Sequence, residues 1–217
     1  MSYPGKIPSP RLSRSQAFTL IELLTVIAII AVLAGLTMAG LGTMRQRAQS
    51  TQCLSNLRQL YAAAGLYSAE HKQFTAPPTF YTALRDGGYL QPLNKNDMLN
   101  CSGVWMCSAD TTDRTAIPDN QVDSISRISY GYNAQKIGLP PTYWTTSAIT
   151  LPAIPRPSHT LYFSDASLYF MNVVAANRNA VFRHNGKINV VFFDGHTATL
   201  PEPANPTLLT QFYNDLF

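Results

Sequence analysis

What this 217-residue chain lacks narrows it first. No proline stands between Pro10 and Pro77, so nothing in that stretch removes a backbone donor or forces a helix to end. Cys-x-x-Cys is missing. The three cysteines, Cys53, Cys101 and Cys107, are too few for a disulfide framework, and no histidines are spaced to complete a zinc site with them. Gly-x-Ser-x-Gly, His-Glu-x-x-His and the phosphate loop are also absent, which leaves an enzyme without a recognisable centre. Charged residues make up only 13% of the chain, and the formal net charge of +4 is concentrated at its start. Without Lys6, Arg11 and Arg14, 13 basic side chains face 12 acidic ones. That near balance removes the electrostatic basis for nucleic-acid binding.

What is present begins with the apolar run from Phe18 to Val32. From Phe18 to Gly42 there are 25 positions whose only charge is Glu22. As a helix this segment is about 37 Å long, enough to cross a bilayer. The apolar core of a secretory signal is shorter, about 7–15 residues, which argues against a signal cleaved near Met38–Gly40. A carboxylate in hydrocarbon costs about 2.5–3.5 kcal/mol at mid-membrane, so Glu22 needs a partner. The nearby candidate is a new amino terminus: a cut after Ala17 makes Phe18 the first residue and Glu22 the fifth. Charges flanking the span are nearly balanced, Lys6, Arg11 and Arg14 before it and Arg45, Arg47 and Arg58 after it, so they do not fix its orientation.

The sequence Ala17-Phe-Thr-Leu-Ile-Glu-Leu-Leu-Thr-Val-Ile-Ala-Ile-Ile30 closely resembles the leader junction of type IV pilins and type II secretion pseudopilins. The resemblance implies cleavage between Ala17 and Phe18 by a prepilin peptidase, methylation of the Phe18 nitrogen by the same enzyme, and use of Glu22 in docking to other pilin-like subunits at an inner-membrane assembly platform. Ala17 stands where the family usually has Gly, and the leader is longer than the shortest ones. The implied topology is a single pass through the bacterial inner membrane, N-terminus cytoplasmic and C-terminal domain periplasmic, with a filament after assembly. An adhesive surface pilin and an anchored periplasmic enzyme are the competing functions. The latter has no catalytic residues to offer.

The expected organisation is a leader over 1–17, a membrane and filament-core helix over 18–42, and a periplasmic domain over 43–217. That domain comprises helix to about residue 71, a loop-rich region over 77–157, an antiparallel sheet over 158–200 and a tail over 201–217. The fold class is α+β, a long helix packed on a C-terminal antiparallel sheet, pilin-like. Beyond the span, Leu54, Leu57, Tyr61, Ala64 and Tyr67 or Ala63 form an apolar stripe opposite Gln52, Ser55, Arg58 and Gln59. Gly35, Gly40 and Gly42 mark a point where the helix can bend. A short helix is expected at Tyr81–Asp86 and a strand at Ser129–Tyr132. Further strands are expected at Thr160–Ser164, Leu168–Met171, Ala180–His184, Lys187–Phe193 and His196–Leu200. Asn185-Gly186 and Asp194-Gly195 read as type I′ turns, making the last three strands a meander. The middle strand is apolar on both faces, so one face takes the helix and the other needs loop cover.

In an exported domain, one bridge and one free thiol is the expected outcome. Proteins with this leader often pair a helix cysteine with one in a Cys-Pro-Ser-Asp loop, here Trp105-Met-Cys-Ser-Ala-Asp110. That resemblance favours Cys53–Cys107 over the local Cys101–Cys107. His184 and Asp194-Gly195 match the H-x9-DG signature of a large group of prepilin-like proteins. Seven strand residues separate the two turns by about 23 Å, so a catalytic His184–Asp194 pair is excluded. The expected roles are structural, with Asp194 and Gly195 building a turn and His184 tying down a loop carbonyl. No cofactor is expected. Calcium is the ion the resemblance to major pseudopilins leaves open. Asp165, Asp194, His196 and Asp215 are the candidate ligands, although no Asp-x-Asp cluster supports it and His is a poor calcium ligand.

Overall fold

The computed structural model describes residues 18–75, 79–100, 102–112, 128–133, 154, 156–167, 170–171 and 180–203. The leader with Ala17, Cys101 and Asp215 lie outside the described residues, as do much of the 77–157 region and the tail beyond 203. The chain divides into two compact units, residues 1–42 and 43–217. In the first, Leu20–Met38 is a 19-residue segment of mean hydropathy 2.5, long and apolar enough to cross a membrane. Its side chains, Ile21, Leu24, Ile27 and Leu33 among them, are exposed. The helix that contains it, α1, runs from Leu20 to His71.

Within the second unit, α1 is followed by α2 (Phe80–Asp86), the unanticipated α3 (Lys95–Asn100), β1 (Tyr130–Asn133), β2 (Leu161–Asp165), β3 (Phe170–Met171), β4 (Lys187–Phe192) and β5 (Thr197–Pro201). The strands form one sheet in the order β3-β1-β2-β4-β5. Pairing is antiparallel from β1 through β5, and β3 joins β1 in parallel. This is the α+β, pilin-like arrangement expected.

The buried side of α1 is rotated from the expected stripe. Cys53, Asn56, Leu57, Leu60, Ala63 and Ala64 are buried, while Leu54, Tyr61 and Tyr67 pack at its margin. Asn56 belongs there because its side-chain amide donates to the carbonyl oxygens of Met106 (2.9 Å) and Gly103 (3.1 Å) and to the Tyr130 hydroxyl (3.2 Å). A buried amide with three acceptors is satisfied, which a hydrophobic-periodicity argument does not foresee. Against this stripe pack Tyr130, Tyr132, Tyr162, Phe163, Val191 and Phe193 from the sheet region. Burial is the main reason the hydroxyls of Tyr130, Tyr132 and Tyr162 are held above the ordinary tyrosine range. The opposite sheet face buries Leu161, Ile188, Val190 and Phe192 under Ala180 and Phe182, the loop cover that a two-faced apolar strand requires.

Two strand-level expectations are corrected. Ala180–His184 is not a strand: Ala180 makes an isolated bridge to Ala166, and residues 183–185 turn. The two edges of β4 are already taken by β2 and β5, which leaves that segment no ladder to join. Asn185 and Gly186 do adopt positive φ, 56° and 70°, and the His184 N–H donates to the Lys187 carbonyl at 3.1 Å. Asp194-Gly195 is not a type I′ turn, since Gly195 alone has positive φ, 90°. The β4–β5 connection is instead a three-residue loop, Phe193–Gly195, closed by the Phe192 N–H to His196 carbonyl bond at 3.0 Å.

Gly195 is constrained twice. A Cβ there would lie 2.6 Å from Cε1 of the Tyr61 ring, in addition to the φ that only glycine adopts freely. The Tyr61 hydroxyl also donates to the Phe193 carbonyl at 3.3 Å, so the ring is not free to swing away. Gly195→Ala is expected to cost about 2 kcal/mol or more, combining left-handed backbone strain with overpacking. Urea unfolding of the 43–217 domain measures it, and a cost under about 0.5 kcal/mol would show the contact to be soft.

Candidate functional site

The helix containing the apolar span begins with a capping box. The Glu22 carboxylate accepts from the Thr19 backbone N–H at 2.9 Å and from the Thr19 hydroxyl at 2.8 Å, while the Glu22 N–H donates back to Thr19 Oγ1 at 3.3 Å. Thr19 is thus the N-cap and Glu22 the third helical residue, satisfying donors that a helix start leaves unpaired. The Thr-x-x-Glu spacing is itself a capping-box signature and needs no charged partner. An acid at this point also meets the positive end of the helix dipole. Phe18, beside the cap, is exposed.

The second concentration of chemistry is buried in the 43–217 unit. A disulfide joins Cys53 on α1 to Cys107 in the 102–112 loop, their Cα atoms 5.1 Å apart. His184 lies against it, Nε2 3.4 Å from Cys107 Sγ and 3.1 Å from Asp165 Oδ2 at the end of β2. Both ion-pair side chains are enclosed, at 2% and 0% exposure. Asp165 Oδ2 also accepts the Asn189 N–H of β4 at 2.8 Å. Arg183, the preceding residue, pairs with Asp110 at 3.0 Å and donates to the Ala166 carbonyl at 2.8 Å; the Ser129 hydroxyl completes that site by donating to Asp110 at 2.6 Å. Adjacent residues of one turn therefore fasten the disulfide loop and the end of β2 together, through the buried Arg183–Asp110 ion pair and the His184–Asp165 contact.

This corrects the reading of His184 as the tie for a loop carbonyl: its ring meets a carboxylate and a sulfur. Sequence reasoning missed Asp165 as its partner, and the Arg183–Asp110 pair as well, because 19 and 73 positions separate the partners and no local pattern connects them. Asp194 is engaged elsewhere, accepting from the His196 N–H at 3.1 Å and facing His196 Nδ1 at 2.6 Å. Burial pushes the Asp194 carboxyl up, but these contacts with His196 outweigh it and hold the group below the usual carboxylate value. Tyr61 is raised, by burial first and then by the Asp194 charge. The described calcium candidates thus divide between two unrelated pairs, Asp165 with His184 and Asp194 with His196.

An aspartate and a histidine beside a sulfur share the order of a nucleophile-activating relay, but the Cys107 sulfur is bonded to Cys53 and cannot attack. As it stands, the arrangement cross-links.

Residues 12–38 match the family model of the prokaryotic N-terminal methylation motif. No curated protein matches the chain, and no solved structure does. The matched segment contains the Ala17-Phe18 junction, the Thr19–Glu22 cap and the apolar span. It supports a type IV pilin-like chain processed as a prepilin, and the one apolar helix among the described residues fits a membrane anchor.

Proposed function

We propose that the chain is a structural subunit of a periplasmic filament, a pseudopilin related to type II secretion. It is made as a single-span inner-membrane precursor with a cytoplasmic leader. Prepilin peptidase cuts between Ala17 and Phe18 and methylates Phe18. The mature helix then docks among other pilin-like subunits at the assembly platform, and each addition at the base does mechanical work on the secretion channel. The observation that carries this reading is the methylation-motif match over residues 12–38. Glu22 supports it, because the Thr19 cap can be completed by an uncharged Gln, whereas a full charge at the mouth of an apolar helix calls for a cationic partner. The amine of Phe18 stays cationic after methylation and supplies that partner.

Mass spectrometry of the mature protein should find N-methyl-Phe18 as its first residue; an intact Met1, or a terminus beyond Gly40, would refute the processing step. Glu22 permits a sharper test because its cap and its charge are separable. Glu22→Gln keeps a hydrogen-bonding side chain at the third helical position, where Gln also completes a capping box, while Glu22→Ala removes both. Both variants should insert in the membrane, and both should lose incorporation into filaments by cross-linking. Normal incorporation of Glu22→Gln would assign the residue to capping alone.

A further inference from the structure

We infer that Cys53, Cys107, His184 and Asp165 form a tetrahedral zinc site when the disulfide is reduced, so that the two sulfurs have alternative partners, each other or a divalent metal ion. The two cysteines and His184 place one donor atom each within 4.8 Å of one another, all buried. Around Nε2 the spacing already resembles that of a coordination shell. With Zn–N and Zn–O near 2.0–2.2 Å and Zn–S near 2.3 Å, tetrahedral neighbours stand about 3.3–3.6 Å apart where a nitrogen or oxygen is involved and about 3.8 Å apart for two sulfurs. The observed separations are 3.1 Å from Nε2 to Asp165 Oδ2 and 3.4 Å to Cys107 Sγ. Reduction frees the two sulfurs to part to about 3.8 Å, and Asp165, which lies outside that three-donor group, must close toward them to complete the shell.

Three further features fit. Asp165 is a fully buried carboxylate whose Oδ1 has no hydrogen-bond partner among the described residues, and His184 Nδ1 is likewise unmatched. A buried anion short of partners favours a cation beside it. The Asn189 N–H holds Asp165 Oδ2, the outer contact that orients a metal-binding carboxylate. A cavity of about 220 Å³ lined by Gln49, Ser108, Arg183 and His184, among others, reaches the His184 edge of the cluster.

The chemistry balances with a dithiol as reductant. The dithiol gives two electrons and two protons to the Cys53–Cys107 bond and becomes a disulfide itself, leaving two thiols. Zinc then displaces one proton from each thiol and the Nε2 proton of His184, which the ring releases or carries on Nδ1 instead, and binds both thiolates, Nε2 of the neutral ring and the Asp165 carboxylate. Cys101 has no part in this.

The test uses the full chain in detergent, reduced anaerobically with a dithiol, freed of reductant and titrated with cobalt(II), whose visible absorption reports tetrahedral sulfur coordination. The reduced chain should bind one equivalent that zinc displaces, and the oxidised chain none. Zinc should raise the melting temperature of the reduced chain and leave that of the oxidised chain unchanged. Asp165→Asn and His184→Ala should each weaken binding tenfold or more, with Cys101→Ser unchanged. If reduction or a substitution unfolds the domain, circular dichroism shows whether zinc restores it. Unfolding of the reduced parent chain that zinc does not reverse would overturn the inference. So would binding that depends on Cys101 or that survives both the His184 and Asp165 substitutions.

Discussion

His184→Ala should destabilise the 43–217 domain by about 3 kcal/mol, the cost of leaving the enclosed Asp165 carboxyl without its hydrogen-bond partner together with the cavity left by the ring. A histidine that merely tied down a loop carbonyl would cost about 1 kcal/mol, so the two roles separate cleanly in a urea melt. The larger figure follows from Asp165, which keeps 0% exposure and retains the Asn189 N–H as a named neighbour once the imidazole is gone. Asp165→Asn should recover part of the loss when combined with His184→Ala, because the double variant buries no unpartnered carboxyl. Asp194→Ala should add to His184→Ala within about 0.5 kcal/mol, since Asp194 faces His196 and the two sites share no partner. A cost near 1 kcal/mol for His184→Ala, or strong coupling to Asp194, would contradict the assigned contacts.

Loss of the disulfide should be comparably severe. Cys53 and Cys107 are 54 positions apart, and in the chain-entropy account a loop of that size contributes about 4 kcal/mol by restricting the unfolded chain. Cys53→Ala and Cys107→Ala should each show nearly the whole loss, and the double variant little more than either alone. Melting with and without reductant checks this: the parent should drop to near the level of the variants, while the variants should not respond. A Cys107→Ala chain as stable as the parent, or still responsive to reductant, would place the stabilising bridge elsewhere.

The parts legible in the sequence were those with a local signal. The Pro10-to-Pro77 gap and the apolar run marked the helix that begins at Leu20 and ends at His71. Asn185-Gly186 marked a positive-φ turn, and the alternation around Ile188–Phe192 marked a strand buried on both faces. What was not legible depends on pairing across the chain. Asn56 had no place in the apolar stripe, but three acceptors from distant segments make it a core residue. Ala180–His184 looked like a strand until β2 occupied the edge it needed. Asp194-Gly195 had the composition of a two-residue turn, yet the Tyr61 ring packed against Gly195 accompanies a three-residue loop. For the site, Glu22 was visible as an anomaly, whereas its Thr19 cap was visible only as a spacing. His184 was visible as part of a signature whose physical content, contact with Asp165 and the disulfide, only the fold supplies.

The position of the disulfide has a consequence for durability against proteases. Cys53 and Cys107 enclose the end of α1, α2, α3 and the connections between them. A protease that nicks this enclosed stretch breaks the chain without releasing either piece, because the sulfur bridge still joins them. The α1 face and the β4 hairpin that pack around Leu57 and Val191 therefore stay on one covalent body. A subunit built this way tolerates damage and sequence drift inside the loop, and it comes apart when a cut is followed by reduction.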